Sequence, residues 1–215
     1  KLREDGILMQ DASPCYYVYR QQMGRQIQTG LVGVMSAAEY DAGIIKKHEL
    51  TRKDKEQDRI SHVDTVGAQT GPVFISYVAR PRIDDIVNAA VAGKPEYDFT
   101  AEDGVIHTAW LISDAKQLEE IKNEFAQVKA LYIADGHHRA AAGATVARNR
   151  RKAGVAQESD MVLAVFFPHQ QLKVMDYNRA VKDLHGLTPA QFIAKISEKF
   201  TVTENFADKS PRRLH

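Results

Sequence analysis

Short apolar runs separated by polar stretches recur along the chain and predict β-strands, some of them joined in hairpins. The runs from Tyr16 to Met23 and from Leu31 to Met35 flank a glycine-bearing stretch, which is the pattern of a β-hairpin. The runs from Tyr97 to Thr100 and from Val105 to Ile112 flank the Asp103-Gly104 turn and predict a second hairpin. We therefore expect antiparallel pairs in the sheet.

Four further apolar runs predict buried strands. They are compact and continuous rather than alternating, as is typical of strands that lie inside a core. These runs extend from Val73 to Val78, Ala130 to Ala134, Met161 to Phe167 and, as the shortest, Leu172 to Met175.

Five segments carry the spacing or the end signals of an α-helix. In a segment crowded with charge, Thr51 and Asp54 stand three residues apart and predict a capped helix that runs to about Thr65. Asp114, with Gln117 at the third position, is expected to cap another helix. The other three are predicted from Arg82 to Ala92, in the alanine-rich segment after Arg139, and from Pro189 to Phe200.

The order of these elements predicts the fold class. Strands and helices alternate irregularly, so we expect an α+β fold with a mixed sheet and flanking helices. We expect residues 1–215 to form a single α+β unit. Because the chain begins with Lys1 rather than methionine, we also expect this unit to be an internal fragment of a longer protein.

The charge balance argues against a protein that holds nucleic acid by charge alone. The 215 residues include 29 basic and 28 acidic side chains, for a formal charge of +1, whereas each phosphate contact needs its own Lys or Arg. No apolar run approaches the roughly 20 residues of a membrane helix. The single cysteine, Cys15, fits a reducing compartment. We expect a cytoplasmic protein without a membrane or nucleic-acid partner.

The most informative motif is Asp135-Gly136-His137-His138-Arg139, between a predicted strand and a predicted helix. Unpaired backbone N–H groups and a partial positive charge at a helix N-terminus attract phosphate. Gly136 permits close approach of an anion, Asp135 is suited to cap the helix or hold a metal ion, and the other three residues add donors for phosphoryl oxygens. The alternative is a plain helix start, in which Asp135 is only a cap and both histidines are structural.

A second candidate lies at Lys46-Lys47-His48-Glu49. Glu49 beside His48 is suited to act as a general base toward a hydroxyl group, and the two lysines are suited to hold phosphate as point charges. The alternative is a solvated helix face, because dense alternation of charge most often belongs to one.

Several familiar sites are absent from the sequence. Arg52 occupies the position where an H-E-x-x-H motif beginning at His48 needs its second histidine. Adjacent His137 and His138 on a helix point about 100° apart, which disfavours a shared metal ion. We find no phosphate loop of the G-x-x-x-x-G-K-[ST] type, and we predict no metal-ligand set. The basic run at 148–152 is expected to stabilise a helix C-terminus, with nucleic-acid contact as the weaker alternative.

Five motifs follow one another along the chain and together carry a resemblance to a known family. They are His48-Glu49-x-Thr51, Asp58-Arg59, Gly71-Pro72-Val73-Phe74 before the Tyr77 strand, Tyr132 to Arg139, and Tyr177-Asn178-Arg179. Over nearly the whole chain, this order resembles a large family of bacterial and archaeal proteins known as a conserved domain of unknown function and often labelled ParB-like. The turn at 135–139 is similar to the phosphate-binding box of the ParB and sulfiredoxin superfamily, which includes an ADP-dependent kinase for free serine.

The resemblance implies a ParB/sulfiredoxin-like core and a site for ADP or ATP with Mg²⁺. It implies that Glu49 is the catalytic base and that His138 or Arg139 stabilises the phosphoryl group in transfer. The implied nucleotide-binding residues are Asp135, Gly136, His137, His138 and Arg139. Peroxiredoxin repair is disfavoured, because the sulfiredoxin branch has a cysteine where this chain has His137, and DNA partitioning is disfavoured because no helix-turn-helix follows the turn.

Two functions remain open from the sequence. The first is a phosphotransferase, similar to the serine kinase, that binds a nucleotide and acts on a small hydroxyl-bearing metabolite. The second is a non-catalytic, ParB-like switch that binds a nucleotide at the same turn and closes on a protein or DNA partner. A homodimer is a candidate assembly for either function.

Overall fold

The computed structural model describes residues 2, 4–151, 157–174 and 181–203. Contacts between Cα atoms divide the chain into two compact units, residues 1–173 and 174–215. Among the described residues, no helix has both the length and the apolar character needed to cross a membrane. The expectation that residues 1–215 form one α+β unit of a longer protein stays a prediction.

The first unit contains a mixed sheet, to which the described residues contribute eight strands. In chain order these are β1 (Tyr16–Met23), β2 (Gln26–Ser36), β3 (Ile45–Lys46), β4 (Val73–Tyr77), β5 (Tyr97–Thr100), β6 (Ile106–Ile112), β7 (Leu131–Asp135) and β8 (Met161–Pro168). Their order across the sheet is β3-β7-β4-β8-β2-β1-β6-β5. The β3–β7 and β4–β8 pairs are parallel and the other neighbours are antiparallel.

Helices flank this sheet, and the predicted α+β class is thereby confirmed. The described part of the first unit contains α1 (Ala37–Asp41), α2 (Lys53–Val66), α3 (Pro81–Val91), α4 (Ala115–Ala126) and α5 (His137–Arg150). The short α1 was not predicted. Its N-cap is Ser36, whose hydroxyl accepts a hydrogen bond from the Glu39 N–H at 3.3 Å.

Both predicted hairpins are present. β1 pairs antiparallel with β2, and β5 pairs antiparallel with β6. The predicted strand from Leu172 to Met175 is wrong for its described part, because residues 172–174 belong to no strand. Met175 lies outside the described residues.

The core lies between one face of the sheet and the helices. Val18 is the cross-strand partner of both Leu31 and Trp110, so these three side chains share a face. They pack with Ile86 of α3 and Ile121 of α4. A larger cluster joins the alanines of α5 to the central strands, and its fully buried members include Val73, Ile75, Ala140, Ala144, Ala147 and Ala164. This packing fixes α5 against the sheet.

The predicted caps of α4 and α2 have different outcomes. The Asp114 carboxylate accepts a hydrogen bond from the Gln117 N–H at 2.9 Å, which confirms the first cap. The Thr51 cap is wrong, because Arg52 is the N-cap of α2 and its side chain makes no capping hydrogen bond. The Thr51 hydroxyl instead donates to Oε2 of Glu56 at 2.8 Å, a carboxylate acceptor that makes a stronger bond than a neutral partner.

The described part of the second unit contains one helix, α6 (Pro189–Ser197). It begins with a capping box in which Gln191 N–H donates to the Thr188 hydroxyl at 3.3 Å and Thr188 N–H donates to the Gln191 side chain at 2.9 Å. The predicted helix is confirmed, but it ends at Ser197 rather than Phe200. No residue of α6 is buried.

Candidate functional site

A cleft of about 510 Å³ lies at the start of α5, with residues of α2 on its other side. Its lining residues come from the loop after β3, from α2 and from the turn between β7 and α5. They are Glu49, Arg52, Lys55, Arg59, Asp135, Gly136, His137, His138 and Arg139. Glu49 and the five residues of the Asp135-to-Arg139 motif therefore line one cavity.

The parallel pairing of β3 with β7 explains how Glu49 reaches the motif. Ile45 pairs with Leu131, and Lys46 pairs with Tyr132. Because parallel strands run toward the same edge of a sheet, the residues that follow them emerge side by side. Glu49 follows β3 by three residues, as Asp135 follows Tyr132. The register therefore brings a carboxylate beside the turn that opens α5.

Gly136, rather than Asp135, is the N-cap of α5. Its backbone is left-handed, with φ 91° and ψ 30°, and no side chain caps the helix. A Cβ at this position would lie 3.0 Å from two nitrogen atoms of the Arg139 guanidinium, so both the turn and the close approach favour glycine. The predicted Asp135 cap is wrong, because the chain turns one residue later and Asp135 belongs to β7.

Two acceptors hold the guanidinium of Arg139 at the wall of the cleft. Its Nη2 donates to Oδ2 of Asp135 at 2.7 Å, and its Nη1 donates to the carbonyl of Pro72. Arginine has five N–H donors in a rigid fork, so donors remain for a ligand after these two contacts. The Arg139 side chain is 37% exposed. It is therefore both oriented and accessible.

His138 connects the start of α5 to the start of α2. Its Nε2 accepts a hydrogen bond from the backbone N–H of Arg52 at 3.1 Å. A neutral imidazole in this contact carries its proton on Nδ1, which leaves one N–H donor for a ligand. The contact also satisfies a backbone N–H at the N-terminus of α2, where no intrahelical partner exists.

His137 is buried behind the cleft surface, with 3% of its side chain exposed. Its ring meets the ring of His48 edge-on at 4.4 Å between centroids, and its Nδ1 lies 3.6 Å from Oε2 of Glu49. Its Nε2 is buried and has no hydrogen-bond partner among the described residues. Burial lowers the pKa of His137, and His48 lowers it further, while Glu49 acts in the opposite direction. Burial therefore favours the neutral form of His137.

The lysines predicted to hold phosphate do not line the cleft. Lys46 belongs to β3, and Nζ of Lys47 lies 4.2 Å from the centroid of the Tyr40 ring, where the ring attracts its charge. Lys55 and Arg59 of α2 line the cleft in their place. Their spacing of four residues, which puts them on one helix face, was the available sequence signal, but dense charge on α2 made a solvated face the simpler interpretation.

The arginines of the basic run form ion pairs with carboxylates elsewhere in the first unit. Arg148 lies 2.6 Å from Asp41, Arg150 lies 2.5 Å from Asp64, and Arg151 lies 3.5 Å from Asp160. These pairs give the three arginines structural partners, and the expected stabilisation of the helix C-terminus stays a prediction. Lys152 and the Tyr177-Asn178-Arg179 motif lie outside the described residues.

Within the described ranges, no group of three or more His, Cys, Asp or Glu side chains is arranged to hold a metal ion. The two carboxylates of the cleft, Glu49 and Asp135, are the acidic groups that a bound cation would meet there. Mg²⁺ is commonly held by one or two carboxylates together with substrate phosphates rather than by an all-protein cage. The cleft is thus compatible with a cation that arrives with a phosphorylated ligand.

Fold and site together define an α+β protein with a predominantly basic cleft at the N-terminus of a buried helix. The chain belongs to the family described as Protein of unknown function (DUF1015), whose model matches residues 1–215. No curated protein and no solved structure matches the chain. The resemblance to a conserved domain family of unknown function is therefore confirmed.

Proposed function

We propose that this protein is a nucleotide-binding phosphotransferase that acts on a small hydroxyl-bearing metabolite, in the manner of a serine kinase. The observation that carries the proposal is the meeting, in one cleft, of the Glu49 carboxylate with the uncapped N-terminus of α5 and its basic side chains. A phosphoryl transferase needs both a base for the acceptor and a cradle for phosphate. The kinship with the ParB and sulfiredoxin superfamily is part of this proposal.

The charges of the cleft favour an anionic ligand. No side chain caps α5, so no capping group competes with a ligand for the backbone N–H groups of its first turn. The helix dipole adds partial positive charge at the same place. Four basic side chains line the cleft, against two carboxylates. The basic residues are Arg52, Lys55, Arg59 and Arg139. ADP or ATP supplies the matching chain of phosphates.

The proposed reaction assigns a role to each of the predicted catalytic residues. Glu49 takes the proton of the acceptor hydroxyl as its oxygen forms a bond to the terminal phosphorus. The bond from that phosphorus to the bridging oxygen breaks, and its electron pair leaves with AMP or ADP. Arg139 and the Nδ1–H of His138 donate hydrogen bonds to the phosphoryl oxygens as charge redistributes in the transition state.

Mg²⁺ would enter with the nucleotide, and Asp135 is the cleft carboxylate that would hold it when Glu49 serves as the base. When bound, the cation neutralises phosphate oxygens and lowers their mutual repulsion. Asp135 also pairs with Arg139 at 2.7 Å, so the same carboxylate would hold the cation and orient the arginine. Gly136 leaves the backbone between Asp135 and the first turn of α5 without a side chain.

The test separates binding from transfer in the full chain. We expect Glu49→Gln to retain adenine-nucleotide binding, because the amide keeps the shape of the side chain, and to lower phosphoryl transfer by about 10²- to 10⁴-fold. Calorimetry with ADP or ATP and Mg²⁺ measures the first, and transfer of labelled phosphate to a panel of hydroxylated metabolites measures the second. Glu102→Gln, in the β5–β6 turn, is the matched control and should change neither.

Three outcomes would contradict this function. The nucleotide site is wrong if the unaltered protein binds neither ADP nor ATP, or if His138→Ala leaves binding intact. The catalytic role is wrong if Glu49→Gln and Glu102→Gln transfer phosphate equally well. Nucleotide-dependent dimerisation or DNA retention, unchanged in Glu49→Gln, would instead support the non-catalytic, ParB-like switch.

A further inference from the structure

Two neighbouring faces of α2 have different chemistry. Glu56, Ile60 and Val63 recur at helical spacing and are the half-buried residues of this helix; Glu56 lies 3.5 Å from the Thr145 hydroxyl of α5. Each residue of an α-helix is rotated by about 100° from the one before it. Residues one position earlier than 56, 60 and 63 therefore lie on the adjacent face, about 100° around the helix.

That adjacent face carries basic side chains. Lys55, Arg59 and His62 stand at positions i, i+4 and i+7, and all three are exposed. They span about 10 Å along the helix axis at a rise of 1.5 Å per residue. Within the described residues, Lys55 has no ion-pair partner, and Arg59 meets only its exposed neighbour Asp58, at 3.2 Å. We call Lys55, Arg59 and His62 the basic stripe.

The basic stripe runs along two cavities rather than one. The first is the cleft at the start of α5, which Lys55 and Arg59 line. The second, of about 340 Å³, is lined by Arg59 and His62, together with Arg139 and residues of the segment before β4. Arg59 and Arg139 line both cavities. The two cavities therefore meet at a pair of guanidinium groups.

No acidic side chain lines the second cavity, and the carboxylates that pair with its two arginines, Asp58 and Asp135, are not among its lining residues. Its lining residues from the segment before β4 are Gln69, Thr70 and Gly71. The Gln69 amide is already used, because it donates to the Met161 carbonyl at 3.0 Å and its oxygen accepts from the Leu163 N–H. The groups left to bind a ligand are cationic or neutral donors, which favours an anion.

We infer that the basic stripe is a second phosphate-binding wall, and that the site takes a chain of linked phosphoryl groups extending from the start of α5 into the second cavity. The inference rests on the proposed function for the identity of the ligand as a nucleotide, but the chemistry of the stripe requires only a polyphosphate. One phosphate at α5 engages the first cavity. A longer chain extends past Arg59 and Arg139, which line both cavities, and reaches His62.

Inorganic phosphate, pyrophosphate and tripolyphosphate are the probes for this inference, titrated into the full chain by calorimetry. We expect Arg59→Gln to weaken tripolyphosphate binding by about tenfold, since hydrogen bonds to charged groups are among the stronger ones. His62→Gln, which alters only the second cavity, should weaken tripolyphosphate by about threefold and leave inorganic phosphate unchanged. Because these side chains are exposed, the variants should unfold at the same temperature as the unaltered protein.

Lys53→Gln is the matched control, because it removes one positive charge from the same helix at a position that lines neither cavity. The inference is overturned if Arg59→Gln and His62→Gln bind tripolyphosphate as Lys53→Gln does. It also fails if the unaltered protein binds inorganic phosphate and tripolyphosphate equally.

The stripe and the proposed function can fail separately. If the protein transfers phosphate from ATP and neither Arg59→Gln nor His62→Gln changes the transfer, the proposed role of the basic stripe is overturned and the proposed function is not. Stripe-dependent binding of tripolyphosphate by a protein that neither binds adenine nucleotides nor transfers phosphate overturns the proposed function and supports the stripe.

Discussion

The two helices that border the cleft have the same length and opposite burial. α2 and α5 each contain 14 residues, and they pack against each other. Eight residues of α5 are buried, whereas none of α2 is. The same cavity therefore has one wall built into the core and one wall held at the surface.

Small side chains explain the burial of α5. A Cβ on Gly143 would lie 2.8 Å from Cγ2 of Val162, so the helix approaches β8 as closely as glycine allows. α2 is held mainly by polar contacts instead, such as the pairing of Asp64 with Arg150 and the bond from Arg52 N–H to His138. Exposed ion pairs contribute about 0–1 kcal/mol each, so we expect α5 to be held more firmly than α2.

The largest expected effect comes from placing a leucine side chain in α5, and the same side chain in α2 is the comparison. We expect Gly143→Leu to lower the free energy of unfolding by about 3 kcal/mol, because no space exists between α5 and Val162. Ser61→Leu, at an exposed position of α2, should change it by less than about 0.5 kcal/mol. Urea unfolding measures both, and equal losses would contradict the distinction between the two helices.

Hydrogen exchange should separate the helices without any substitution. Backbone amides in the middle of α5 are expected to exchange only through global unfolding, because that helix belongs to the core. Amides in the middle of α2 should exchange through local opening, with a free energy lower by about 2 kcal/mol or more. Mass spectrometry of peptides from the two helices measures this, and uniform protection would show that α2 is as firmly held as α5.

The smallest expected effect concerns the pH dependence of the free energy of unfolding, to which the buried His137 of α5 contributes. Its pKa is lowered from the usual 6.5, mainly by burial, so the unfolded chain binds a proton more readily than the native state. The stabilising difference is present above pH 6.5 and is lost as the pH falls toward the folded pKa. We expect His137→Gln to reduce the loss of unfolding free energy between pH 7.5 and 5.5.

Urea unfolding at several pH values measures that effect. An unchanged slope in His137→Gln would show that burial does not govern the protonation of this histidine.

Local signals were sufficient for most elements of the fold. The hairpins of β1 with β2 and of β5 with β6 were predictable because turn residues and alternating runs lie close together in the sequence. The Asp114 cap was predictable for the same reason. The absence of an Asp135 cap was not predictable, because the left-handed turn at Gly136 and the bond from Arg139 to Asp135 become visible only in three dimensions.

The candidate site shows the same division. The motif at 135–139 was recognisable because strand, glycine and helix start are contiguous. Lys55 and Arg59 were missed as cleft residues, since the sequence shows that α2 is charged but not which of its faces meets α5. Lys47 was predicted to hold phosphate and lies against Tyr40 instead.

The sequence by itself determined the α+β class, most of the apolar strands and the alanine-rich helix that follows the Asp135-to-Arg139 turn, because each depends on residues near one another in the chain. Tertiary structure alone decided that β3 lies parallel to β7, which brings Glu49 to that turn. It also decided that α2 presents basic side chains to two cavities. Strand order and helix rotation depend on packing between distant segments, and local propensity does not encode them.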